Sequence, residues 1–179
     1  FQYPQISGLG YPFETLLRMI QDVPSIKAIK DWSNDAMLHE KHIRELQGGA
    51  AGRAISVLTT HSSWLMASLS MGANGLLSGA GSVIPELQVA LFQAVKAGDL
   101  PAAQAINDRI YPLAQAFYTP PFLDMHNRMK ECLVLLGRLE RAVVRPPLMK
   151  LSDTEINRLG QALNAAGLPP VGAVSAAAE

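Results

Sequence analysis

Three short runs rich in β-branched and aliphatic residues alternate with longer amphipathic stretches, and this alternation restricts the fold more than any other feature. The runs are Ser25-Ile26-Lys27-Ala28-Ile29-Lys30, 54–60 (AISVLTT) and Asn74-Gly75-Leu76-Leu77-Ser78. Each has strand length and is bounded by Pro, Gly or polar residues. Between them lie helical patterns. Phe13, Leu16, Leu17 and Ile20 share one helical face after Tyr11-Pro12. Leu38, Ile43 and Leu46 mark a second helix over 36–47, which the Gly48–Gly52 stretch breaks. A third covers 62–71 and stops at Gly72. Strands that alternate with helices predict a parallel sheet with helical crossovers, an α/β fold.

The pattern changes near Gly98. Pro85 opens a helix that runs to about Lys96, a position where its missing N–H costs nothing. Helical patterns then follow over 100–117, 121–137 and 154–166 with no strand between them. The expected organisation is βα units over 1–98, a helical extension over 99–168, and a flexible tail over 169–179. Asp31 to Asp35 reads as a polar loop.

Composition narrows the function classes. Net charge is zero, so neither nucleic acid nor an anionic membrane is an expected partner. Hydrophobic residues make up 49% and charged residues 17%, which favours a buried core over disorder. The longest apolar stretch, 64–77, is interrupted by Ser, Gly and Asn and falls short of a span. Cys132 is the single cysteine, so no internal disulfide can form and a reducing, cytoplasmic setting is expected. His39 and His42 lie on one helix with Glu40 but lack a third ligand, and read as a solvated face. No metal and no cofactor are expected. Asp124, His126 and Arg128 read as surface or packing polar groups, Cys132 as a buried thiol, and Met125 and Met129 as core or subunit interface.

The order of motifs resembles the dihydrodipicolinate synthase / N-acetylneuraminate lyase family. Phe1, Pro4, Ser7 and Gly8 match an aromatic-x-x-Pro-x-x-(Ser/Thr)-Gly turn. Ile29-Lys30-Asp31 matches a strand that ends in lysine, and Gly72-Ala73-Asn74-Gly75-Leu76-Leu77-Ser78 matches the last barrel strand. The resemblance implies the C-terminal half of a (β/α)₈ TIM barrel with a C-terminal helical appendix, starting at the end of strand five. A chain that starts at Phe1 without Met, and three strands where closure needs eight, agree with a fragment.

The family's chemistry carries over by position. Lys30 is the Schiff-base lysine that the resemblance implies, on a strand that would bury its stem. Lys27, three residues away, falls on the opposite face. The backbone of Leu77, Ser78 and Gly79 matches the strand that contacts the pyruvyl group. Thr59 and Thr60 read either as hydroxyls for a keto-acid carboxylate or as caps of the next helix. Three departures remodel the pocket. Phe1 replaces a tyrosine whose hydroxyl relays protons, and reads as an aromatic that fills the barrel floor. Ile6 replaces the arginine that binds the aldehyde substrate of dihydrodipicolinate synthases. Thr60-His61 replaces a Gly-Asp type pair, and Ser82 an asparagine. Trp32 and His61 join Ile6 as pocket wall. Trp32 stacks on substrate or packs at a loop start, and His61 acts as acid/base or as a helix-start residue. The expectation is a lyase, aldolase or dehydratase, for pyruvate or sugar-derived 2-keto-3-deoxy acids. It would be a homo-oligomer, a tetramer by the resemblance. The alternatives are 4-hydroxy-tetrahydrodipicolinate synthase and a non-catalytic keto-acid-binding relative.

Overall fold

The computed structural model describes residues 1–4, 8 and 10–171. Ile6, Ser7 and most of the expected tail lie outside the described residues. The chain forms two compact units. One comprises Phe1–Ser78 with Leu91–Ala103; the other comprises Gly79–Ala90 and the chain from Gln104 onward.

The first unit holds a three-stranded parallel sheet of β1 (Ala28–Asp31), β2 (Ser56–Thr59) and β3 (Gly75–Leu76), in that order. Its helices are α1 (Phe13–Asp22), α2 (Ala36–Lys41), continued by a π-helical turn His42–Leu46, and α3 (Leu65–Ser70). A 3₁₀ turn, Ser62–Trp64, leads into α3. Register pairs Ile29 with Val57 and Lys30 with Leu58. Side chains alternate across a strand. Ile29, Asp31, Val57 and Thr59 are therefore buried together, whereas Ala28 is exposed and Lys30, Ser56 and Leu58 are half-buried. Leu16 and Ile20 of α1, Ile43 and Leu46 of the π turn, and Ile29, Ile55, Val57 and Ala73 form one apolar core.

All three strands are shorter than their sequence runs. β1 begins at Ala28, not Ser25, and Ile26 N–H donates back to the Val23 carbonyl at 3.1 Å instead of to a neighbouring strand. The Arg53 guanidinium donates to the carbonyls of Ile20 (2.8 Å), Val23 (2.9 Å) and Ile26. Of these oxygens only that of Ile26 belongs to the expected run, and the Lys27 carbonyl accepts from Ser56 N–H at 2.9 Å. Asp31 is the last residue of β1 and is buried with Trp32 and Ser33, so the expected polar loop begins only at Asn34.

The second unit contains the first half of α4 (Pro85–Lys96), most of α5 (Leu100–Phe117), α6 (Met125–Leu135) and α7 (Asp153–Ala165). Helices α6 and α7 pack together, and α6 also packs on the 3₁₀ turn Gly79–Ser82. The buried Arg128 of α6 organises the α5–α6 connection. Its Nη1 donates to the carbonyls of Phe117 (3.1 Å), Thr119 (2.6 Å) and Pro121 (3.2 Å), and its Nε donates to Glu155 Oε1 (2.6 Å). A buried cation persists where every N–H finds an acceptor. Arg128 is thus a packing group, not a surface one.

Candidate active site

Lys30 stands on the open face of the sheet, near the carboxyl end of β1. Its neighbours Ile29 and Asp31 point into the helix layer. The N-terminal residues lie alongside. Gln2 N–H donates to the Lys30 carbonyl at 2.8 Å, and Trp32 N–H donates to the Gln2 carbonyl at 2.8 Å. This parallel bridge between Gln2 and Asp31 extends the sheet by a strand stub. It brings the Phe1 ring under Lys30, whose Nζ lies 4.6 Å from the ring centroid. Partial burial lowers the Lys30 pKa below its usual 10.5 by desolvating the ammonium, which raises the free-amine fraction.

A string of rings lines the same end. Phe1 stacks on Tyr3 at 5.3 Å, Tyr3 on Trp32 at 4.4 Å, and the His61 ring meets Trp32 edge-on at 5.4 Å. Trp32 is buried in this string, so packing against Tyr3 accounts for it. Phe1 is 55% exposed and does not fill a floor among the described residues. His61 caps the 3₁₀ turn: its Nδ1 accepts from Ser63 N–H at 3.2 Å, which places the neutral ring's proton on Nε2. Burial lowers the His61 pKa below its usual 6.5, which favours the neutral ring.

The other candidates are distributed. Thr60 is buried just beyond β2. Leu77 donates its N–H to the Thr59 carbonyl at 2.8 Å and leaves its side chain exposed. Ser78 Oγ lies 2.9 Å from Ser62 Oγ. Gly79 belongs to the second unit, where a Cβ on it would lie 3.4 Å from Met129 Sδ. The close approach that this glycine permits is thus already made by α6.

One polar cluster escaped the sequence reading. His39 and His42 are 1% exposed, not solvated. Their Nδ1 atoms lie 2.8 and 2.7 Å from the same Asp31 Oδ2. Ser68 Oγ of α3 lies 2.6 Å from His39 Nε2, and Asp31 Oδ1 accepts from Ser33 N–H at 2.9 Å. Burial alone would raise the Asp31 pKa. The hydrogen bonds from His39 and His42 outweigh it and hold the carboxyl well below the usual carboxylate range. A signal existed: positions 39, 42, 43 and 46 form an i, i+3, i+4, i+7 stripe, and Ile43 and Leu46 mark it as the buried one.

A short parallel sheet with crossover helices, presenting a lysine near a strand's carboxyl end, is the arrangement of an α/β protein built from βα units, with the lysine at the end where such folds carry their sites. Comparison with known proteins fixes the family: the Dihydrodipicolinate synthetase family profile matches residues 1–166, and the chain belongs to that family. It is 28% identical over 169 residues to the 4-hydroxy-tetrahydrodipicolinate synthase of Rhizobium meliloti, covering 94% of this chain and 54% of that protein. The enzyme of the same name from Nitrobacter hamburgensis is 31% identical over 169 residues, with 94% and 53% covered. Among solved structures, YagE is similar with a TM-score of 0.82 at 23% identity, over 93% of this chain and 55% of that one. YagE is a prophage protein of this family from E. coli K12, solved in complex with pyruvate. Dihydrodipicolinate synthase from Aquifex aeolicus gives 0.80 at 23% identity, over 95% and 55%. These neighbours are TIM barrels, and this chain has the fold of part of one. It spans about half the length of the curated relatives it matches. No helix among the described residues is long and apolar enough to cross a membrane.

Proposed function

We propose that the protein is a Schiff-base-forming lyase, an aldolase or dehydratase, acting on pyruvate or a sugar-derived 2-keto-3-deoxy acid through Lys30. The observation that carries this reading is the position of Lys30: on the open sheet face, half-buried, with its amine shifted toward the free base. The amine lone pair attacks the C2 ketone, and the carbonyl electrons move to oxygen. The carbinolamine loses water to give an iminium. That cation accepts the electrons of the C3–C4 bond, releasing an aldehyde, or of a C3–H bond, releasing a proton, as an enamine; protonation at C3 restores the iminium, and its hydrolysis returns the amine and a keto acid. A relative that binds pyruvate on a similar fold supports the substrate class.

Borohydride reduction of the intact protein with pyruvate tests the reading. A reduced pyruvyl adduct on Lys30, absent from Lys30→Met, is expected. No adduct would leave the non-catalytic keto-acid-binding reading, which the lack of a hydroxyl at Phe1 favours. The names of the curated relatives favour a second enzymatic reading, 4-hydroxy-tetrahydrodipicolinate synthase. Turnover with aspartate semialdehyde would select it. By the same resemblance, the intact protein is a homo-oligomer with a small-molecule 2-keto acid as its partner.

A further inference from the structure

We propose that Asp31 is a positioning residue for Lys30, acting through the buried cluster of Asp31, His39, His42 and Ser68; the functional meaning of this role rests on the imine reading. Three observations carry it. First, Asp31 and Lys30 are consecutive in β1 and face opposite sides, so whatever fixes the Asp31 carboxylate fixes the backbone that carries the amine. Second, the carboxylate is held from both ends. Two imidazoles from the α2 region share Oδ2, and the Ser33 N–H takes Oδ1. Third, this hold extends into a second helix, because His39 Nε2 meets Ser68 Oγ of α3. The strand end is therefore tied to two elements of the helix layer by side chains that water does not reach. The Ser33 bond also turns the chain just after the strand, which sets the Trp32 ring against Tyr3 and, through Tyr3, against Phe1 under Lys30. Simple strand packing needs none of this, because an apolar residue at 31 would bury as readily as Ile29 does.

The role is testable without substrate. Trace acylation of the intact protein with acetic anhydride across pH, read by peptide mass spectrometry, gives the titration midpoint of each lysine amine. Loosening the strand end admits water to Lys30 and relieves the desolvation that lowers its pKa. Ser68→Ala and Ser68→Val, which remove the hydroxyl and leave the charges of the cluster in place, are each expected to raise the Lys30 midpoint by about half a unit or more, a roughly threefold loss of free amine at neutral pH. Exposed Lys27 serves as the internal control and should not move. Ser68→Thr, which keeps a hydroxyl, should restore the wild-type midpoint. An unchanged Lys30 midpoint in both folded variants overturns the proposal. Loss of the folded state in both also overturns it, since the cluster would then serve stability alone. Failure of the imine reading appears separately, as a missing pyruvate adduct in the wild type.

Discussion

Lys30 and Asp31 are adjacent in the chain but sit in opposite environments, and strand alternation is the reason. Lys30 faces the open side and is desolvated only in part. Asp31 faces the helix layer, where it remains ionised because two imidazoles bind its carboxylate. A carboxyl whose folded-state pKa lies below its unfolded value of 3.8 adds stability above that value, and the contribution disappears as pH falls through the folded pKa. The stability gap between the wild type and Asp31→Asn should therefore shrink as pH falls below about 4, which urea titrations at stepped pH would show. Cys132 is the opposite case. Burial, aided by the Glu131 charge, pushes its thiol up to about 12. The thiolate is the reactive form, so iodoacetamide should leave native Cys132 unlabelled at pH 8 and label it once the chain is denatured.

The elements are held by different forces at their ends and along their faces. Ser152 caps α7, with its Oγ accepting from Glu155 N–H at 3.2 Å, and the Ser-Asp-Thr-Glu sequence has the spacing of a capping box. Ser152→Ala should cost about 1 kcal/mol. Leu46, in the π turn, is fully buried in the apolar core, and Leu46→Ala should cost about 2–5 kcal/mol. Met37, on α2, is 84% exposed, so Met37→Ala should change stability by less than about 0.5 kcal/mol. Chemical denaturation of the three variants separates cap, core and surface. The helices were legible from periodicity because each has one apolar stripe. The strands were legible as runs, but their ends were not. Arg53 takes up the Ile26 carbonyl just ahead of β1, and its three partners lie 27 to 33 residues away.

For the whole chain, the open face of the sheet is the dominant fact. Leu58 and Gly75 are half-buried and Ala28 is exposed on a parallel sheet, a type of sheet that proteins cover on both faces. The 179-residue chain expressed by itself should therefore self-associate, eluting above monomer size and binding a hydrophobic dye. A monomeric, cooperatively melting species would contradict this.

The sequence by itself determined the class of fold, the order of strands and helices, the family, and which lysine lies near the carboxyl end of a strand. All of these follow from local periodicity and from the spacing of a few motifs. It did not show that His39, His42 and Ser68 meet at Asp31, that Trp32 is packed against Tyr3, or that Arg128 is buried. Each of these depends on polar groups from separate elements that satisfy one another away from water. Only the tertiary structure decides that: a side chain read alone as too polar to bury is buried once its partners arrive with it.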